Sequence, residues 1–441
     1  MLASPHTVPN TQPLYLGIDF GTSGCRLAVI DDEGQHYGFY SAPLPPSRGS
    51  GTHAEQNPQD WWHTLEDLII TKLDDALKHR IAAIAVDGTS ASLLLANHQG
   101  HPVTPCLMYN DHRATSEAKT LLAKAPNAIS AVQGPSSALA KLLYFDAQHI
   151  KGSHYALHQA DWISNRLTGQ FGYSDSNNCL KLGYDAKRQE WPRWLLDLVA
   201  KPHVLPHVVA PGNFVGYINK AIADSWSLPT STLIVSGTTD SIAASLAAGA
   251  KTPGDAVTSL GSTLVVKVVS EQPVSAAKYG IYSHPYGDHW LVGGASNSGG
   301  AVLLKYFSSQ HIAAMSETIN PDHATGLNYY PLPCLGERFP IADPDKSPQL
   351  SPRPEQDVIF FQAMLEGISN IEKLAYQRLA ELGSTPVKRI ISVGGGSTNT
   401  AWQRLRERTL KCLFTPPLYN EAAYGSALLA RTGYSKQQKL L

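Results

Sequence analysis

The chain has 441 residues, enough for two or three domains with well-buried cores. Apolar residues make up 43% and the formal net charge is −1, which leaves no electrostatic case for nucleic acid or an anionic membrane surface. The five cysteines (Cys25, Cys106, Cys179, Cys334, Cys412) are scattered without a CxxC, and the seventeen histidines form no HExxH, which argues against a disulfide framework and a zinc site. The opening MLASPHTVPNTQP reads as a frayed tail, not a signal peptide, and no run approaches eighteen apolar residues. A soluble protein of the cytoplasm, or of an organelle stroma in a plastid lineage, is expected.

Strand and helix patterns alternate, which predicts an α/β fold. Strands are expected at Leu14–Asp19 and Arg26–Ile30, a helix at Asn57–Ala76, then strands at Ile81–Val86 and Ala91–Ala96. Helices follow at Ser136–Ala147 and Asp161–Leu167, a strand at Thr232–Ser236, and a helix at Ser241–Ala248. The second half predicts strands at Ala256–Leu260, Leu264–Val269, His289–Val292 and Arg389–Val393, with helices at Ala301–Phe307, Ile359–Leu382 and Thr398–Thr409. Residues 310–358, rich in Pro, Asp and Ser, read as a long loop excursion, and Trp61 and Trp62 as interdomain packing. Gly17-Ile18-Asp19-Phe20-Gly21-Thr22-Ser23 is echoed by Thr258-Ser259-Leu260-Gly261-Ser262-Thr263-Leu264, with a junction at Lys251-Thr252-Pro253-Gly254. Two such halves would set two phosphate-facing loops across one cleft.

Four loops carry candidate chemistry. At the hairpin tip Asp19–Gly24, free N–H groups and the Thr22 and Ser23 hydroxyls can donate to phosphate, while Asp19 can hold a hydrated Mg²⁺. An ordinary hairpin with polar turn residues has the same signature. Asp240, in Ser236-Gly237-Thr238-Thr239-Asp240-Ser241, suits a general base at a cleft edge and equally an acidic group at a helix N-terminus. The run Ile391–Asn399 brings three glycines into a helix whose Asn399 and Trp402 share a face. An amide and an indole there would suit adenine, although Trp402 could equally be core. Neither a Rossmann GxGxxG nor a Walker A lysine is present, so a nucleotide site must be of another type. Finally, Asp87-Gly88-Thr89-Ser90 and Tyr109-Asn110-Asp111-His112-Arg113 offer the donors and acceptors a polyhydroxylated ligand needs; both could also be capped turns.

Taken in order, Gly17–Ser23, Gly237–Ser241, Ser259–Thr263, Gly394–Asn399 and Glu421–Gly425 resemble the FGGY family of carbohydrate kinases over residues 14–433. The stretches Ala160-Asp161-Trp162, Asn178–Tyr184, Gly293–Asn297, Tyr329–Pro333 and Gly336–Asp345 are similar to its short xylulose-kinase-like branch described as D-ribulose kinases. The first signature region keeps Lys141 but has Tyr144 where Trp is usual, and the second is only loosely present around Met364–Gly367. Tyr109–Arg113 resembles instead the Trp-x-Asp-x-Arg loop of full-length xylulose kinases.

The resemblance implies two RNase H-like, actin/hexokinase-like domains flanking a cleft: 14–250 for sugar, 251–420 for ATP, and 421–441 returning to the first. It implies a Mg²⁺- and ATP-dependent ketopentose kinase, D-ribulose before D-xylulose, with another polyol or ketose kinase as the alternative, and no nucleic-acid or membrane partner. Asp240 would be the catalytic base, and Asp19, Ser90, Asp240 and Ser241 would meet the sugar. Asp19 would also serve the metal, with Gly21, Thr22, Ser23, Gly261, Ser262 and Thr263 around the phosphates. Gly395, Gly396, Asn399 and Trp402 would hold the adenosine. An actin-like ATP-binding scaffold without kinase activity is the rival from another class.

Overall fold

A computed structural model describes residues 12–126 and 131–440, so the expected tail lies outside the described residues except for Gln12 and Pro13. The chain forms two compact units. The first gathers the described residues of Met1–Ala125, Val132–Ala247 and Glu421–Leu441; the second is built from Ala248–Asn420 together with Pro126 and Ala131. No described helix is long and apolar enough to cross a membrane.

The first unit is organised by a seven-stranded mixed sheet. Leu14–Phe20 pairs antiparallel with Gly24–Ile30 and parallel with Ile81–Gly88. All seven residues of Leu14–Phe20 are buried, which is why it reads as an unbroken apolar run ending in a polar turn. Thr238–Thr239 adds in parallel beside the end of Ile81–Gly88, setting Thr238 opposite Asp87. The helix Ala422–Gln438 lies directly on this sheet. A Cβ at Gly17 would sit 1.9 Å from the Ala423 carbonyl oxygen, and one at Gly425 1.9 Å from that of Ala243. Glycine at both positions is what lets the backbones approach so closely.

The second unit repeats the plan. Asp255–Leu260 pairs antiparallel with Leu264–Ser270 and parallel with Arg389–Val393. The hairpin echo seen in sequence is therefore an echo of topology. The long helix Asp357–Glu381 places Glu372 in the core, where its carboxylate accepts two 2.7 Å bonds from Arg406 and one from Thr258 Oγ1. This buried ion pair joins two helices to the strand that ends in the Gly261 loop.

Several expectations change. The helix expected over 57–76 stops at Thr71, and Asp74 then caps a separate short turn, Asp75–Lys78, through Ala76 N–H. The supposed loop 310–358 contains most of a helix, Ser309–Ser316. Trp61 and Trp62 belong to the core of the first unit and not to packing between units. The Trp61 ring lies 6.5 Å from Phe20 and 6.3 Å from Trp162, and its Nε1 donates to Gln56 Oε1. Trp62 packs 5.2 Å from Trp226 with the Arg166 guanidinium over its face.

Candidate active site

In the first unit, strand register gathers carboxyls. Asp19 and Asp87 are direct partners across the parallel pairing of their strands, and both are buried. Asp19 Oδ2 accepts a 3.0 Å bond from Arg26 Nη1, so its charge is partly compensated. Asp87 has no cation paired with it among the described residues. Burial first, then the charge of Asp19 and a hydrogen bond between the two carboxyls, hold its pKa well above the usual carboxylate range. Ser426 Oγ donates to Asp87 Oδ2 and pulls the other way, while the charge of Asp240 adds to the upward push. Asp240 opens the helix Asp240–Ala248 and accepts a 2.6 Å bond from Ser241 N–H, the placement a helix N-terminus favours for an acid. The Ser241 residue is exposed.

The loops around these acids are fixed through their backbones. Gly21 N–H closes the hairpin tip onto the Gly24 carbonyl. Gln56 Nε2 donates to the Thr22 carbonyl, and Leu44 N–H to that of Ser23, which leaves both hydroxyl side chains out of these bonds. At the second loop, Thr89 Oγ1 donates to Gln159 Oε1 and shares a hydrogen bond with Ser92 Oγ. Ser90 Oγ is buried and finds no hydrogen-bond partner among the described residues. A buried hydroxyl without a partner is costly, and Ser90 shares this state with other buried side chains such as Thr239 and Ser298.

The loop Tyr109–Arg113 departs from expectation. Asp111 is fully buried, and its carboxylate is taken up by Ala54 N–H at 2.7 Å and by Arg113 through Nε and Nη2. Burial alone would raise its pKa, but the bonds from Arg113 and Ala54 outweigh that and hold it below the usual range. Asp111 braces this loop and has no capacity left for a sugar hydroxyl.

In the second unit, a cavity of about 730 Å³ is lined by Gly261, Ser262, Gly395, Gly396, Asn399 and Trp402 among others. That is within the roughly 300–1,000 Å³ of small-molecule sites. Six of the seven expected second-unit residues therefore share one cavity. Thr263 stands outside its lining, pressed instead against the backbone at Gly299. Asn399 and Trp402 do not share a helix face as the spacing suggests. Asn399 is the N-cap of Thr400–Leu410: its side-chain oxygen accepts from Trp402 N–H, and its Nδ2 donates to Ser316 Oγ at 2.8 Å. The indole is 3% exposed and donates to Ser369 Oγ, so it forms core under the cavity. The far wall comes from Ile312, Ala313 and Ser316 of the helix that the sequence reading took for loop. Its signal was available in the Ser308 N-cap, which accepts from His311 N–H.

No group of three or more His, Cys, Asp or Glu residues able to hold a metal exists among the described residues. Mg²⁺ needs no such cage when it arrives with nucleotide phosphates, one or two carboxylates being sufficient. The buried Asp19 at a Gly-Thr-Ser tip fits that requirement.

Two α/β units, each built on a strand hairpin with a parallel neighbour, one with an acid cluster and one with a glycine-walled cavity, make up the actin/hexokinase-like α/β fold of sugar kinases. The chain belongs to the FGGY family of carbohydrate kinases, whose N-terminal domain matches residues 14–247 and whose C-terminal domain matches 256–434. Kinases of this family use ATP with Mg²⁺. Among curated relatives, a xylulose kinase of Streptomyces rubiginosus is 26% identical, over 95% of this chain and 87% of that protein. A gluconokinase of Bacillus subtilis is 22% identical, over 94% and 86%. The fold is shared with a crystal structure described as a xyloylose kinase from Brucella ovis (TM-score 0.87, 24% identity, 96% and 91% covered). It is also shared with a Plasmodium falciparum glycerol kinase with ADP (TM-score 0.84, 17% identity, 98% and 92% covered).

Proposed function

We propose that this carbohydrate kinase transfers the γ-phosphate of ATP to a ketopentose, with D-ribulose the first substrate and D-xylulose the second. The observation that carries the reading is the acid cluster of the first unit, where Asp19 pairs with Asp87 and the charge of Asp240 acts on Asp87; three positions beyond Asp87 in sequence, the Ser90 hydroxyl is buried without a partner among the described residues. The curated relatives named xylulose kinase support a ketopentose. The D-ribulose assignment rests on the stretches Asn178–Tyr184 and Gly336–Asp345.

In this reading residues 14–250 with 421–441 handle the sugar, and 251–420 handle the nucleotide. Ser90 and Ser241 orient the sugar, and Asp240 removes the proton from its attacking hydroxyl, by analogy the one at C5. Asp19 serves the Mg²⁺, which supplies charge neutralisation at the phosphates when bound. Gly21, Thr22, Ser23, Gly261, Ser262 and Thr263 offer hydroxyl and N–H donors to phosphate oxygens, while Gly395 and Gly396 admit the adenosine against the backbone. Asn399 and Trp402 contribute by shaping the cavity, since both already have partners. The five free cysteines suit a reducing compartment, the cytoplasm or a stroma.

The test is an ATP-consumption assay against pentuloses, hexuloses and polyols, with the phosphorylated product confirmed by mass. D-ribulose should give the highest kcat/KM. A hexulose or polyol in first place would overturn the substrate, and sugar-independent ATP turnover across the panel would favour the actin-like scaffold.

A further inference from the structure

Lys141 is fully buried on the helix Ala138–Ala147, and no carboxylate pairs with it among the described residues. An unpaired ammonium in a core is costly, so its contacts matter. Nζ donates to the Ala91 carbonyl at 2.8 Å and to the Met108 carbonyl at 2.7 Å. Ala91 has φ of +67°, the left-handed region that a residue with a Cβ seldom adopts. The strained residue immediately follows Ser90. On its other side the turn is held by Thr89, whose N–H and Oγ1 both donate to Gln159 Oε1. Beyond Ala91, Ser92 Oγ accepts from Tyr109 N–H. Every neighbour of Ser90 is thus fixed, and Lys141 supplies the bond to the one whose backbone is strained.

We infer that Lys141 is a positioning residue for sugar binding, holding the Ala91 carbonyl so that the Ser90 hydroxyl stays presented to the substrate. This rests on the reading that Ser90 contacts the sugar. The helix thereby couples the Ser90 turn to Met108, and the side chain itself touches no substrate. Its burial lowers its pKa to about 7. Cys106 and Asp111 raise it, and Lys181 and Arg113 lower it further. A neutral amine donates weaker bonds than an ammonium, so the grip on the two carbonyls loosens as pH rises through neutrality.

The experiment compares the full-length wild type, Lys141→Met and Ser90→Ala with D-ribulose, or with whichever sugar leads the panel. Lys141→Met should raise the sugar KM about tenfold to a hundredfold, with kcat and the KM for ATP within about twofold of wild type. The wild-type sugar KM should also climb between about pH 6 and 8.5, a step absent from the variant. A merely structural lysine would lower the melting temperature and the amount of active enzyme without this split, which would overturn the inference. If Lys141→Met does not fold, Lys141→Gln takes its place, and a sugar KM within about twofold of wild type there sinks the proposal. Ser90→Ala separates the two layers. An unchanged sugar KM there removes the sugar reading of the turn, and the proposal with it. A raised KM there with no effect of Lys141→Met removes only the role of the lysine.

Discussion

Asp19 and Asp87 stand opposite one another on parallel neighbouring strands, but among the described residues only Asp19 pairs with a cation, Arg26. Burial, the charge of Asp19 and the hydrogen bond between the two carboxyls raise the pKa of Asp87 well above the usual carboxylate range. The upward shift favours the protonated form of Asp87, while Asp19 keeps its bond from Arg26. Asp87→Asn keeps a neutral polar group of nearly the same shape and should fold with near-wild-type stability at neutral pH. Asp87→Leu leaves Ser426 Oγ without its acceptor and should cost about 1–3 kcal/mol in urea unfolding. Equal destabilisation by both substitutions would mean that Asp87 is needed as an anion.

Asp240 is expected to behave differently, because the role proposed for it is chemical. Asp240→Ala should lower kcat at least about a hundredfold while nucleotide affinity, measured by calorimetry, stays within a fewfold of wild type. Near-normal turnover would remove Asp240 as the base.

Asn399 links two walls of the second-unit cavity, proposed above to take the nucleotide, capping Thr400–Leu410 with one end of its amide and bonding Ser316 with the other. Asn399→Ala should cost about 1 kcal/mol through the lost cap. It should also raise the KM for ATP severalfold while leaving the sugar KM unchanged. A shift in the sugar KM alone would contradict this placement.

How far these groups were legible in sequence depended on whether one segment carried the signal. Leu14–Phe20 and Asp255–Leu260 are buried on both faces, so their apolar runs and Gly-Thr/Ser tips could be read directly. The helix Ala422–Gln438 was not proposed, because its Ala, Gly and Ser residues serve close backbone approach and draw no amphipathic stripe. Asp111 looked available because the bond from Ala54 N–H comes from a residue 57 positions away. The role of Asn399 turned on a helix boundary: a start at Thr400 in place of Thr398 makes Asn399 the cap and not a residue inside the helix. The pairing of Asp19 with Asp87 needed strand register, which periodicity alone does not supply.

Glu372 and Arg406 test the core of the second unit. Arg406→Met would leave the buried Glu372 charge uncompensated and should cost about 3–5 kcal/mol. Adding Glu372→Met removes that charge as well and should recover a large part of the loss. Double-mutant unfolding curves measure the difference, and simple additivity would show that the pair is not coupled.

Asp255 gives a pH signature with a definite sign. Burial acts to raise its pKa, but bonds from Arg389, Thr252 N–H and Lys251 N–H prevail and lower it from 3.8 to about 2. Between those two values the unfolded chain binds a proton that the folded chain does not, so stability rises with pH across that window. The contribution is fully present above about pH 4 and is lost as pH falls through about 2, amounting to about 2 kcal/mol. Asp255→Asn removes the titration. Its stability deficit against wild type should be full at pH 7 and begin to narrow below about pH 4 in chemical-denaturation curves taken down to the lowest pH at which both fold. A deficit that stays constant through that range would show that Asp255 contributes by shape and hydrogen bonding alone, with no help from its charge beside Arg389.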